Sequence, residues 1–178
     1  LTIETLDGLI KHNGPVKNLA KFKKIFAHDK LKNKIVFNIY PSLEAQVAAI
    51  SDDIAYNNHD LEDGLRAGLF SIKKISSIPH ISKLIKRHAK NIKNFRREII
   101  ISQIVRDLIN LMVVDVINTT NKNLKLRNPQ TVNDIYKQDC LMVDFSDKMK
   151  KIDKQIKEFL KHNMYNHKKV ITSTNKGK

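Results

Sequence analysis

Ile3, Leu6, Leu9 and Ile10 fall three and four positions apart, the spacing that lines one face of a helix. Thr2 is placed to cap that helix, and the stop comes at "NGP", where Gly14 can turn left-handed and Pro15 cannot continue. A basic connection from Val16 to Asn38 leads to "YPS", a helix start built on Pro41 and Ser42. The next segment carries Leu43, Val47, Ile50 and Ile54 at steps of four, three and four, which predicts one apolar stripe facing a core. This helix is expected to break near Gly64. "REIIISQIVRDLINLMVVDVINTTNKN" reads as a long, deeply buried helix interrupted by Arg106, Asp107 and Asp115. "LRNPQTV" is a loop marked by Asn128 and Pro129. In the last strong helix, "FSDKMKKIDKQIKEFLKHNMY", the apolar face is Phe145, Met149, Ile152, Ile156, Phe159 and Leu160, and a polar, frayed tail follows. No strand pattern or internal repeat competes with these helices, so the expected fold is all-α.

Composition narrows the class. Five Gly and four Pro are too few for a β-sandwich or barrel with many tight turns. The single cysteine, Cys140, cannot form an internal disulfide, which suits a cytoplasmic protein. The charge-free stretches "IIISQIV" and "LINLMVV" are too short to span a bilayer, so no membrane partner is expected. The first residues, "LTIETLDGL", lack Met and lie at the start of a helix, as expected of a segment of a longer protein.

Charge is distributed unevenly. The chain has a net charge of +15, yet residues 41–70 hold Glu44, Asp52, Asp53, Asp60, Glu62 and Asp63 against one base, Arg66. At about 100° per residue, Asp52 lies opposite the apolar stripe, and Tyr56, Asp60 and Asp63 fall on its side. Ala45, Ala48 and Ala49 share this face, and their size lets a ligand approach closely. A solvated acidic face next to basic neighbours would explain the charge alone. A ring flanked by carboxylates one turn away on each side also suits a polar ligand with a sugar face, and Asp52 could hold a divalent cation if other ligands arrive from elsewhere.

"LEAQVAAISDDIAYNNHDLEDGLRAG" resembles the signature of the deoxyguanosinetriphosphate triphosphohydrolase-like proteins of the HD-domain superfamily. "TIETLDGLIKHNGP" is similar to the segment that precedes it in that family, and "IKEFLKHNMYNHKKV" to the C-terminal helix region. The resemblance implies a multi-helix HD-domain-like fold, of which this would be the middle-to-C-terminal portion. It divides into residues 1–70, the remainder of a catalytic domain, and residues 71–178, a helical region packed on it. The implied reaction hydrolyses a deoxynucleoside triphosphate to deoxynucleoside and inorganic triphosphate. The implied cofactor is a divalent metal ion of the Mg2+ or Mn2+ type, which would polarise a phosphate oxygen and acidify a bound water. By resemblance Asp52 is a metal ligand, Tyr56 packs on the deoxyribose, Asp60 bonds the 3′-hydroxyl, and Lys11 and His12 lie near the triphosphate.

The family's remaining metal ligands, its His and His-Asp elements, and its catalytic His and Glu lie upstream of the matched segment. No catalytic residue is therefore expected in this chain, the metal site is expected to be incomplete, and the chain is not expected to act alone. It would work in a homo-oligomer or with the missing N-terminal half. Two dipeptides, His28-Asp29 and His59-Asp60, imitate the metal pair; the first sits in the basic connection and the second already serves the sugar contact. The alternative is a non-catalytic basic helical module for nucleic acid or nucleotide. From Ser71 to Arg97 there are nine Lys or Arg, two His and no acid. Such a run suits a solvated surface, a subunit contact around anionic nucleotide, or single-stranded nucleic acid, although Phe95 is its only aromatic.

Overall fold

The computed structural model describes residues 2–18, 35–88, 96–168 and 170–172. His28 and Asp29, and within the basic run Lys90, Lys93 and Phe95, lie outside them. Among the described residues the regular structure is helical, with no strand, as the apolar spacing predicts. In chain order the helices are α1 (Ile3–Ile10), α2 (Leu43–Arg66), α3 (Ile72–Ile75), α4 (Pro79–Arg87), α5 (Arg97–Arg127), α6 (Val132–Tyr136) and α7 (Asp147–Leu160). A π-helical turn, Lys161–Tyr165, continues α7. None of the described helices is long and apolar enough to cross a membrane.

The ends are set by local chemistry. Thr2, Ser71, Thr131 and Ser146 each accept a backbone N–H of the first turn that would otherwise lack a partner. At Thr131 the arrangement is a full capping box, with Asp134 accepting from the Thr131 backbone. α5 stops at Asn128, which takes φ of 44°, and Pro129 follows, as the sequence indicates. α2 ends close to Gly64, where the sequence places its break. It continues to Arg66 and closes where the Leu69 N–H donates to Gly64 O (2.9 Å) and the Gly68 N–H donates to Leu65 O (3.3 Å). Gly68 holds the left-handed position, φ 67°, that this pair of bonds needs. Gly64 serves close packing instead, because a Cβ there would come within 2.3 Å of the Phe70 ring.

The chain divides into two compact units, one of Leu1–Asp52 and Val116–Asp144, the other of Asp53–Asp115 and Phe145–Lys178. In the first, α1 passes so close to α2 that a Cβ on Gly8 would lie 2.9 Å from the Ala45 Cβ. The buried Gln46 ties the 141–143 stretch down: its Oε1 accepts from the Met142 and Val143 N–H groups at 2.9 and 3.1 Å, while its Nε2 donates to Pro41 O at 2.9 Å. Asn123 Nδ2 donates to Met142 O (3.0 Å), completing the anchorage.

In the second unit the buried face of α2 runs through Ile54, Leu61 and Leu65, and α3, α4, α5 and α7 contribute further buried residues. The predicted face of α7 is buried in full. Phe70 packs edge-on against Phe159, centroids 4.9 Å apart. Two polar groups sit within this core. Asn57 Nδ2 donates to Asp153 Oδ1 (3.1 Å), and Asn58 Nδ2 donates to Ile54 O (2.8 Å). Asp153 and Asp53 share the Lys157 ammonium at 2.9 and 3.1 Å. Burial works against the Lys157 charge, but bonds to the two carboxylates more than offset it and hold its pKa above the usual value.

Two sequence expectations need correction. Val47 is not core: it is 48% exposed, and of its predicted stripe only Ile54 is buried. α5 is not buried throughout. Its buried residues run from Ile100 to Met112, and Val113, Val114 and Ile117 are exposed. Polar interruptions after Met112 leave the helix too few apolar positions on one side for a continuous stripe.

Candidate functional site

The first unit carries an open cleft of about 820 Å³ between three of its helices. α1 contributes Glu4, Thr5, Gly8, Leu9 and His12 at its end; α2 contributes Glu44, Ala45, Ala48, Ala49 and Asp52; α6 contributes Val132 and Tyr136. The small side chains Gly8, Ala45, Ala48 and Ala49 leave backbone close to the cleft, so the volume exists because these positions lack bulk. Leu9 and Val132, 60% and 57% exposed, give it apolar sides. A volume of this size accommodates a nucleotide-sized ligand.

Asp52 stands at this cleft, exposed, with no hydrogen-bond or ion-pair partner among the described residues. A carboxylate held in this way is free to accept from a ligand. His12 lines the same cleft, and its tautomer follows from its neighbours. Asn13 Nδ2 can only donate, so the His12 Nε2 at 2.9 Å accepts; Nδ1 then carries the proton and donates to Leu9 O at 3.0 Å. Tyr136 is held as a neutral phenol: burial first, then the nearby carboxylates of Asp7, Glu4 and Glu44, push its pKa up.

Lys11 behaves differently from its neighbour. It is fully buried rather than on the cleft lining, and its Nζ lies 2.6 Å from Asp7 Oδ1. The separation makes an ion pair, although the angle does not make it a well-formed hydrogen bond. Of the five residues singled out in the sequence, Asp52 and His12 therefore share the cleft, and Lys11 is turned onto Asp7.

Tyr56 and Asp60 lie one and two turns beyond Asp52 on α2, within the second unit. Tyr56 is 59% exposed, as a ring available to a ligand must be. Asp60 is half-buried, and Tyr165 of the π-helical turn donates its hydroxyl to Asp60 Oδ2. Burial raises the Tyr165 pKa, and the bond to Asp60 together with the adjacent Tyr56 raises it further, so the phenol stays a donor. This leaves Oδ1 as the Asp60 oxygen free of that bond. Sequence spacing does not reveal Tyr165, because it depends on a turn 105 positions away folding back. The only local signal is "HNMY", where a Tyr ends an otherwise amphipathic helix.

Among the described residues, no three His, Cys, Asp or Glu side chains come together as a group able to hold a metal ion. Asp52 is a suitable single donor for a hard cation, but these residues do not by themselves make a metal site. His59, next to Asp60, is exposed on α2 and belongs to no such group.

No protein-family model matches the chain. Curated relatives do, and three of the most similar carry the same description, deoxyguanosinetriphosphate triphosphohydrolase-like protein. The chain is 48% identical to the one from Pelagibacter ubique over 178 residues, covering 100% of this chain and 48% of the relative. It is 40% identical to the one from Agrobacterium fabrum (96% of this chain, 44% of the relative). With the one from Parvibaculum lavamentivorans it shares 36% identity (99% of this chain, 46% of the relative). The chain thus spans a little under half the length of the curated relatives it matches. Over its whole length it belongs with the deoxyguanosinetriphosphate triphosphohydrolase-like proteins.

Proposed function

We propose that this chain builds one wall of the nucleotide site of a deoxynucleoside triphosphate triphosphohydrolase, an enzyme that releases inorganic triphosphate. The observation that carries the reading is the cleft of the first unit, floored by Gly and Ala and bearing an Asp52 with no partner among the described residues, in a chain aligned over its own whole length with a deoxyguanosinetriphosphate triphosphohydrolase-like relative. Asp52 serves as one ligand of a divalent ion whose other ligands come from the rest of the protein. When bound, that ion supplies Lewis-acid polarisation of a phosphate oxygen.

The chain's own residues bind and orient. The Tyr56 ring offers a flat face to a deoxyribose, and bulk at the 2′ position would meet that ring. Asp60 accepts from a 3′-hydroxyl through the oxygen Tyr165 does not occupy. His12, its Nδ1 bonded to Leu9 O, sits at the cleft as a polar group beside the phosphates. Lys11 acts from behind this surface, holding the end of α1 through Asp7.

The test uses a protein carrying this sequence within the full length of its relatives. Incubated with dGTP and Mg2+ or Mn2+, it should yield deoxyguanosine and inorganic triphosphate. Release of pyrophosphate or of single phosphates would overturn the reading.

A further inference from the structure

α7 does not end as a regular helix, and its ending decides which side chain reaches Asp60. The buried face of α7 centres on Ile152 and Ile156. The flank beside it carries Asp153 and Lys157, which are bonded to Asn57 and Asp53 of α2. At about 100° per residue, a regular continuation would bring Met164 to that flank. Tyr165 would stand about 100° further round, opposite the buried face. The observed turn is wider: Lys161–Tyr165 is π-helical, and the Asn166 N–H donates to Lys161 O, five positions back, at 3.2 Å. A π turn takes up about one residue more than the α turn it replaces, so the chain after it lags by one position. Tyr165 thus takes the place of Met164, and its hydroxyl donates to Asp60 Oδ2.

Asn163 is the residue that sets this turn apart from α7. A regular helix would place it on the stripe of Ile152, Ile156 and Phe159, where an apolar side chain would extend the core face. It is a half-buried amide instead, and its Nδ2 donates to Phe159 O at 2.8 Å. A side-chain donor on a carbonyl one turn back competes with the helical ladder and bends it. We propose that Asn163 is a positioning residue: its bond to Phe159 O holds the π turn, and the turn carries Tyr165 rather than Met164 to Asp60. The kinetic consequence rests on Asp60 belonging to the proposed nucleotide site; the placement of Tyr165 does not.

The placement is read from the ionisation of Tyr165. Burial and the Asp60 bond hold its pKa above the usual 10.0, so the step reports on the contact. In the 178-residue chain the step is the ultraviolet absorbance of a pH titration minus that of the matching Tyr165→Phe variant. Circular dichroism at each pH checks that the helices persist. Asn163→Leu, which removes the donor and completes the apolar stripe, should move the step down toward the usual value. Asn163→Ala, which removes the donor and favours the α-helix, should do the same. In the full-length protein both should lose about tenfold in kcat/KM, as expected of Tyr165→Phe. Deleting Met164 from Asn163→Leu removes the residue that the π turn takes up, so a regular helix brings the tyrosine to Asp60. The raised step and the activity should then return.

A step that stays raised in Asn163→Leu and Asn163→Ala would overturn the proposal, since the turn would then stand without the amide. So would a Met164 deletion that keeps its helices but returns neither the step nor the activity. A step that moves with kcat/KM unchanged would uphold the placement of Tyr165 by Asn163 and remove that contact from the nucleotide site. The titration contains no nucleotide, so it succeeds or fails independently of the hydrolase assignment.

Discussion

The two compact units use similar helices for different ends. Among the described residues the second unit holds twenty of the buried apolar side chains, from Ile54 to Leu160, and the first holds four: Ile35, Ile135, Met142 and Val143. The first unit instead keeps Gly and Ala where its helices meet, and leaves Leu9, Val47 and Val132 exposed. The boundary falls between two adjacent acids. Asp52 has no partner among the described residues, and Asp53 pairs with Lys157 at 3.1 Å. The difference teaches a division of labour along one helix: α2 lines an open cleft at its start and is a core element at its end.

The contrast breaks first on stability. Leu65→Ala, in the core of the second unit, should cost about 2–5 kcal/mol in urea unfolding, since it deletes a side chain with no exposure. Leu9→Ala, at the cleft of the first, should shift stability by less than about 0.5 kcal/mol. Equal costs would dissolve the comparison. The glycines sharpen it at the next scale. Gly64→Ala drives a Cβ into Phe70 and should cost about 1–3 kcal/mol. Gly68→Ala meets open space and only the left-handed backbone strain, about 1 kcal/mol.

Much of this is legible in the sequence, for reasons that can be stated. Thr2 and Asn128 act through bonds to residues three or four positions away, so spacing suffices to read them. The apolar face of α7 contains no buried glycine or amide to disguise it, and its spacing shows it in full. α2 is harder. Gln46, Asn57 and Asn58 occupy buried positions, each bonded to a distant or main-chain partner, so the true stripe looks polar. Spacing then draws Val47 into the stripe in their place. Gly64 marks the nearby end of the helix, but its role in close packing is not legible, because it depends on Phe70, whose position only the fold supplies. At the candidate site Asp52, Tyr56 and Asp60 follow from one helix periodicity, whereas Tyr165 and the inward turn of Lys11 are tertiary facts.

Smaller effects separate function from fold within the second unit. In the full-length protein Tyr165→Phe frees Asp60 from its donor, and should lower kcat/KM about tenfold with unfolding unchanged within about 0.5 kcal/mol. An unchanged kcat/KM would remove Tyr165 from the site. Smaller still are the pH effects. The bond from Arg66, with a further one from Ser102, outweighs burial and holds the Glu62 carboxyl below its usual 4.5, so its contribution is present above that value and is lost as pH falls through the lowered one. Lys157 is raised above 10.5, so its contribution is present below that value and is lost as pH rises through the raised one. Each is worth less than about 1 kcal/mol, because these pairs are partly solvated. Glu62→Gln should flatten the acid limb of the stability profile and Lys157→Met the alkaline limb; limbs that do not change would show that these pairs add nothing to stability.

The most direct measurement sets the two neighbouring acids against each other. Triphosphate release is followed for Asp52→Ala and Asp53→Ala in the full-length protein. Asp52→Ala should abolish release while leaving thermal stability intact. Asp53→Ala, which loses only the Lys157 pair, should keep most of the activity. Activity retained by Asp52→Ala, or lost equally in both, would contradict the assignment of this helix as one wall of a nucleotide site.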